Sequence, residues 1–317
     1  MKILFTNAGR RTYLIDFALE LARREGDLEI HVSDCTSLAA AMHVSPEVRT
    51  HLTPPASAGE ASYVAALLNL VEGQGIDLIV PLSDLDPPLL AGYRQKFQER
   101  GAFSLISSPE IVANCSDKRR TYEFCRANGL PTPDSWFDAA EYAGSFPAIQ
   151  KHILGSGSSG LHRVESRDEL SVGFVLGRDM LQPLIDGEEF GIDILNDLDG
   201  GFVACCVKRK LLMRSGETDK AQVVEDAELE ALARRISTAF GHIGNLDCDV
   251  LRSRDGNLNC IDFNPRFGGG YPATHLAGLN FLAAIVDMVR GRPPQFPARP
   301  RPITVMKGIS LHWCDTP

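Results

Sequence analysis

Four polar residues stand in two pairs in the last third of the sequence. Asp247 and Asp249 lie in Asp247-Cys248-Asp249-Val250, and Asp262 and Asn264 in Ile261-Asp262-Phe263-Asn264-Pro265-Arg266. Asp255-Gly256, between the pairs, is a strong signal for a tight hairpin turn. Side chains two apart on a strand face the same way, so each pair shares a face. A hairpin can then bring the oxygen ligands of Asp249, Asp262 and Asn264 to one point. Oxygen ligands without sulfur or imidazole suit a hard cation such as Mg²⁺, which completes its shell with phosphate oxygens. The competing reading is an ordinary polar hairpin facing solvent.

A second set of residues points to phosphate. Ala148-Ile149-Gln150-Lys151 reads as a short strand, and the loop Gly155-Ser156-Gly157-Ser158-Ser159-Gly160 follows it closely. Backbone N–H groups of such small residues can approach a phosphate because no Cβ intervenes. The loop is not a P-loop, since Leu161 follows Gly160 where that motif requires lysine. The phosphate lysine must come from elsewhere, and Lys118 and Lys151 are the candidates. Downstream, Gln182 to Asp193 reads as strand, tight turn and strand. Its first strand, with Gln182, Pro183, Leu184 and Ile185, can offer backbone groups to an adenine edge, and Glu189 can accept from ribose hydroxyls. Each piece has a plain alternative: a flexible connector, an acidic hairpin tip, solvated lysines. Lys210, in the cluster Lys208-Arg209-Lys210, reads most simply as a solvated charge.

The elements that must position these groups begin with an alternation. Lys2 to Phe5, Glu29 to Val32 and Leu78 to Val80 read as strands. Thr12 to Arg24, Tyr63 to Glu72 and Pro87 to Glu99 read as helices. Such alternation means a parallel sheet with helices on its faces, and ligands sit beyond the C-terminal ends of its strands. Arg10 and Arg11 share that rim with Ser83 and Asp84. The rim lacks a Gly-x-Gly-x-x-Gly fingerprint, which argues against NAD. Ser116 is a candidate N-cap for a helix from Asp117 to Asn128. Strand-like runs follow at 180–184, 189–195 and 202–208, then a strongly patterned helix at 227–240. Tyr271 to Arg290 reads as largely helical, 292–302 as a Pro-rich surface connection, and 303–311 as a final strand.

The chain has 317 residues, 44% hydrophobic and 23% charged, and a net charge of −9. The length allows two or three structural units, and the negative balance argues against a nucleic-acid binder. Eight cysteines show no metal spacing, and the adjacent Cys205-Cys206 is poor geometry for a disulfide. With no leader peptide and no long apolar run, no membrane is expected and the simplest placement is a reducing cytoplasm.

The order of these pieces resembles the ATP-grasp superfamily, in the branch similar to the carbamoyl-phosphate synthase large subunit. The resembling parts are an N-terminal open α/β domain, Ser116-Asp117-Lys118 at a helix start, Lys151 before a glycine-rich loop, Gly187-Glu188-Glu189, a basic strand, and a closing Asp262-Phe263-Asn264-Pro265-Arg266. The match spans almost the whole chain. The fold it implies is α/β, passing to α+β in the C-terminal part. It has a Rossmann-like open parallel-sheet domain at 1–112, a small subdomain with the glycine-rich flap at 113–181, and a C-terminal subdomain with the metal site at 182–317. By that resemblance Lys118 and Lys151 contact the nucleotide, and Gly155, Ser156, Gly157 and Ser158 belong to the flap. Gln182 to Ile185 hold adenine, Glu189 the ribose, and Asp249, Asp262 and Asn264 the Mg²⁺ or Mn²⁺. Arg266 then stabilises the reacting phosphoryl or acyl-phosphate group. Gln182 stands where the family often has an acidic residue, Asp262 where glutamate is more frequent, and His152 where proline is common.

The implied activity is ATP-dependent, ADP-forming ligation of a small-molecule carboxylate, through an acyl phosphate, to an amine or similar nucleophile. An ATP-binding regulatory role and a kinase-like use of the fold are the alternatives. Candidate substrate contacts are Arg10, Arg11, Ser83, Asp84, Lys208, Arg209, Arg214, Lys220 and His275, fewer than half of which are expected to touch substrate. Arginines among them would suit a carboxylate. A homodimer is left open.

Overall fold

The computed structural model describes residues 1–155 and 160–314. β1 (Lys2–Thr6), β2 (Glu29–Asp34), β3 (Arg49–Leu52), β4 (Leu78–Pro81) and β5 (Phe103–Ser104) form a parallel sheet in the order β3-β2-β1-β4-β5. Its central strands are buried on both faces, which is why they read as continuous apolar runs. Ile3 and Phe5 pack with α1 (Thr12–Glu25), while Leu4 and Ile79 pack with α2 (Glu60–Gln74). The helix expected at 87–99 is broken. α3 (Asp86–Leu90) and α4 (Arg94–Gln98) flank a 3₁₀ turn at Ala91–Tyr93. Gly92 sits in that turn, where a long helix would have to carry a residue of poor helical propensity.

Ser116 does not cap the next helix. It is the last residue of α5 (Pro109–Ser116), and α6 (Lys118–Ala127) begins after Asp117. Asp117 has extended backbone angles, and its Oδ1 accepts from Arg119 N at 2.9 Å and Arg120 N at 3.2 Å. A carboxylate at this position caps two donors and also favours the helix N-terminus electrostatically.

β6 (Ala148–His152), β7 (His162–Val164) and β8 (Asp179–Pro183) make a small antiparallel sheet in the order β7-β6-β8, with α7 (Arg167–Gly173) between β7 and β8 in sequence. A larger antiparallel sheet follows. Its strands are β9 (Gly187–Asn196), β10 (Phe202–Arg214), β11 (Glu217–Val223), β12 (Gly244–Ser253), β13 (Leu258–Asn264) and β14 (Thr304–Met306). Their order is β13-β12-β9-β10-β11-β14. α8 (Ala227–Phe240) lies against one face, burying Leu229, Leu232 and Ile236 on Ile192, Val207, Cys248 and Val250. The alternate residues of the same strands, Asp193, Lys208, Asp247 and Asp249, therefore face the other way.

The segment expected to be helical from 271 to 290 is two helices, α9 (Tyr271–Leu276) and α10 (Phe281–Val289). Gly278, at φ 103°, turns the chain between them, and Asn280 caps the second by accepting from Ala283 N at 2.9 Å. The final strand is only β14, because it pairs with no more of β11 than Lys220 to Gln222. One core runs from the parallel sheet into the large sheet, joining Leu14 and Ala18 of α1 to Tyr271 of α9 and Phe281 of α10. All eight cysteines are free thiols, and no helix among the described residues is long and apolar enough to cross a membrane.

Candidate active site

The hairpin β12–β13 forms where Asp255-Gly256 predicts it. Its register sets Asp247 opposite Asn264 and Asp249 opposite Asp262, so all four polar groups lie on one face. A bulge follows. Asp249 pairs with Asp262 but Val250 pairs with Cys260, so Ile261 is the extra residue of β13. That offset lets two successive residues, apolar Ile261 and acidic Asp262, both line the same cleft, which regular alternation forbids. The cleft holds about 430 Å³.

Asp249 is the most perturbed acid there. Burial raises its carboxyl group above the usual range, against the pull of Lys210 and with added repulsion from Asp247 and Glu189. Lys210 Nζ lies 2.7 Å from Asp249 Oδ1 and 2.8 Å from Glu189 Oε1. Among the described residues, no group of three or more His, Cys, Asp or Glu side chains is arranged to hold a metal ion. The candidate set is instead two carboxylates and one carboxamide. That donor set fits Mg²⁺ or Mn²⁺, which take one or two carboxylates and complete the shell with phosphate and water.

Two lysines form the opposite wall. The start of α6 is tied to the segment after β6, with Lys118 N donating to Ile153 O at 3.0 Å and a bridge between Asp117 and Leu154. This tie sets Lys118 beside the cleft, where its Nζ donates to Gly155 O at 2.7 Å. Lys151, on β6 opposite Met180 of β8, also lines the cleft. Burial pushes its ammonium group down to about 8, with Asp262 opposing the shift and Lys118 adding to it. At the far end of the glycine-rich segment, Gly160 has φ 71°, and a Cβ there would stand 2.5 Å from the His152 ring.

Arg266 lines the cleft just after β13, where it meets the loop that follows β4. Its Nε donates to Asp84 Oδ1 at 2.6 Å and its Nη1 to Asp247 Oδ2 at 3.2 Å. Burial opposes its charge, but Asp84 and Asp247 more than offset that, so the guanidinium is held charged. Asp84 sits on a loop anchored by the fully buried Asp86. That carboxylate accepts from Thr6 Oγ1 at 2.7 Å, Tyr63 Oη at 2.7 Å and Asn7 Nδ2 at 2.6 Å. Gly268 must lack a side chain, since a Cβ would lie 2.2 Å from Asp247 Cγ.

The cleft brings together Arg10, Arg11, Asp84, Lys118, Lys151, Gly155, Glu189, Asp249, Asp262, Asn264 and Arg266. Ser156, Gly157 and Ser158 lie outside the described residues. Gln182, Pro183, Leu184 and Ile185 do not line it. The Gln182 side chain turns inward to donate to Ser135 Oγ at 2.8 Å, and Leu184 N donates to Pro147 O at 3.0 Å.

The remaining substrate candidates are dispersed. Lys208 is buried beneath the cleft, held by Asp193 and Thr274. Arg209 faces the opposite way, to Glu188 and Gln222. Arg214 pairs with Asp219 at 3.1 Å, and Lys220 is exposed. Ser83 Oγ accepts from Leu85 N at 3.2 Å. His275 stacks on Phe17 with ring centroids 3.7 Å apart.

Sequence reasoning missed Lys210, Glu217, Thr218 and Ile261. Lys210 is not a solvated charge, since its side chain is only 7% exposed. The signal was present: Lys208 and Lys210 are two apart on a strand and must share a face, while Arg209 takes the other. Glu217 lines the cleft beside Arg10, whose Nη2 lies 3.9 Å from its Oε1. Against the effect of burial, Arg11 and Lys307 hold its carboxyl group below the usual range.

Residues 178–314 match a family described as ATP-grasp in the biosynthetic pathway with Ter operon, and residues 3–105 match the PylC-like N-terminal domain. A carbamoyl-phosphate synthase from Methanobrevibacter smithii is 27% identical over 248 residues, which cover 69% of this chain and 65% of that protein. The chain thus spans less than two thirds of this relative. Among solved structures, N5-carboxyaminoimidazole ribonucleotide synthetase from Thermotoga maritima superimposes with a TM-score of 0.67 at 16% identity. That match covers 92% of this chain and 76% of the other. The biotin carboxylase domain of the Hydrogenobacter thermophilus 2-oxoglutarate carboxylase, solved with MgADP, ADP and bicarbonate, gives 0.70 at 16% identity. It covers 93% and 70% of the two chains. At such identities the structural likeness concerns the fold.

Proposed function

This chain belongs to the ATP-grasp superfamily, and from that premise we propose that it is an ATP-dependent, ADP-forming ligase joining a carboxylate to an amine or similar nucleophile. The observation that carries the reading is one cleft shared by the Asp249/Asp262/Asn264 face, Lys118 and Lys151, and Arg266. A carboxylate is a poor electrophile at neutral pH. Its oxygen attacks the γ-phosphorus of ATP, ADP leaves, and the acyl phosphate that forms is a good electrophile. The amine then attacks the acyl carbon, loses a proton and expels phosphate.

In this reading the protein supplies position and charge, and little covalent chemistry. Lys118 and Lys151 bind phosphate oxygens, and Glu189 accepts from the ribose. Asp249, Asp262 and Asn264 would hold Mg²⁺ or Mn²⁺, which when bound neutralises charge on the phosphates. Arg266, kept charged and aimed by Asp84 and Asp247, faces the oxygens that gain charge during transfer. Arg10 and Arg11 stand at the same end of the cleft and suit the substrate carboxylate by bidentate pairing.

The test is ADP release screened across pairs of small carboxylates and amines. Release that requires both members supports ligation. Release with a carboxylate or other acceptor alone would make the protein a phosphotransferase. Nucleotide binding without release under any pair would leave the regulatory role.

A further inference from the structure

We propose that the Lys210 ammonium is the resident cation of the free site, a positioning residue that keeps a divalent cation out until a nucleotide draws the lysine away. The inference rests on the reading of Asp249 as a cation ligand and Glu189 as a ribose acceptor. Lys210 bridges those two acids, at 2.7 Å and 2.8 Å. It is therefore bound to groups that both have other work once a nucleotide is present.

Three features of the backbone support a lysine that sits here and can leave. Lys208 faces the same way but is committed to Asp193 and Thr274 beneath the floor, so among the described residues it is Lys210 that pairs with Asp249. Gly191, opposite Asp249 in the β9–β12 ladder, leaves room for the lysine stem; a Cβ there would lie 3.4 Å from Lys210 Cε. The β10–β11 ladder changes register between Lys210 and Leu212, so regular pairing is interrupted directly beside the lysine.

The electrostatics make the two occupants exclusive. A divalent ion on Asp249 and an ammonium group 2.7 Å from the same oxygen would repel strongly, because both side chains are largely buried. Without a nucleotide, leaving Asp249 would cost Lys210 one of the two acids it bridges. With one, phosphate oxygens offer a charge-assisted contact nearby, and Lys210 can release Asp249 to the ion. Cation and nucleotide binding are then positively coupled, each favouring the other by the same factor.

The experiment counts free Mn²⁺ by electron paramagnetic resonance in titrations of the full chain at pH 8, with and without ADP. In the unaltered protein ADP should tighten Mn²⁺ binding by about tenfold or more, within the usual range of such coupling. Lys210→Met keeps the packed stem and removes the charge. It should tighten nucleotide-free Mn²⁺ binding by about tenfold and cut the ADP effect to less than about threefold. Lys210→Arg should keep nucleotide-free binding weak. Lys210→Gln, as a second neutral variant, should behave like Lys210→Met. Nucleotide-free Mn²⁺ affinity that is unchanged or weaker in both neutral variants overturns the proposal while leaving the cation reading intact. No Mn²⁺ uptake by the unaltered protein even with ADP overturns both.

Discussion

Arg266 and Asp84 share a single oxygen across the boundary between the two large sheets: Nε and Nη2 of the arginine both lie 2.6 Å from Asp84 Oδ1. The arginine follows β13 and the aspartate follows β4, so the pair ties the parallel sheet to the antiparallel one at the mouth of the cleft. Asp84→Ala would leave Arg266 with Asp247 Oδ2 at 3.2 Å and the Phe267 carbonyl at 3.3 Å. Losing a charge-assisted hydrogen bond at a largely buried guanidinium should lower stability by about 1.5–3 kcal/mol. Urea unfolding measures it, and an unchanged midpoint would mean that the pair does not couple the sheets.

Lys151 gives the proposed nucleotide site a pH dependence with a definite sign. Burial holds its ammonium group near 8, so the charge is present below that pH and lost above it. A phosphate partner favours the charged form and raises the value again. Affinity for MgADP should therefore fall as pH rises from 7 to 9, and binding near pH 8 should take up a proton. Calorimetry in two buffers of different ionisation enthalpy reads that proton directly. Lys151→Ala should weaken binding about tenfold to hundredfold at pH 7 and lose the proton uptake.

Asp262 is a partly exposed residue of β13 that lines the cleft. Asp262→Ala should leave the circular dichroism spectrum and thermal midpoint nearly unchanged, within about 0.5 kcal/mol as for most surface changes. ADP formation in the presence of Mg²⁺ should nevertheless disappear. Full turnover in this variant would remove Asp262 from the cation set.

His242 ties stability to acid pH. It is fully buried, its Nε2 lies 3.2 Å from Ile194 O, and burial pushes its imidazole down to about 4 from 6.5. The folded state prefers the neutral ring. The stability this contributes is complete above about pH 6.5 and is lost as pH falls towards 4. Between pH 7 and pH 5 the loss should reach about 2 kcal/mol. His242→Gln should lose that much less over the same interval in urea titrations, whatever its stability at pH 7.

What could be read from the sequence was what local chemistry decides. The helix at 227–240 has Asp226 as its cap, apolar residues at helical spacing and Gly241 as its stop, and it forms with those bounds. The hairpin turn at Asp255-Gly256 and the alternation of Asp247, Asp249, Asp262 and Asn264 put four polar groups on one face. Features set by packing were not readable. β11 buries Thr218 and Asp219, so it lacks an apolar alternation to betray it. The junction at Asp117 serves as the end of one helix and the cap of the next, and residue preference alone made Ser116 equally suitable. Lys210 looked solvated because the spacing puts it on the face of Lys208 but does not say that the fold closes over that face. The contact between Arg266 and Asp84 depends on the docking of two sheets.

The two halves of the cleft also differ in how far apart their parts lie along the chain. Asp249 and Asp262 are thirteen positions apart and meet within one hairpin, whereas Arg266 and Asp84 are separated by 182 positions. Chain closure alone disfavours the longer loop by about 2 kcal/mol relative to the shorter. The acidic face can therefore assemble from nearby contacts early in folding, while the arginine reaches its place only when the whole topology is complete. A chain that has not finished folding would have the acids without the arginine that the proposed reaction sets opposite them, so in that reaction turnover would report completion of the fold and cation binding would not.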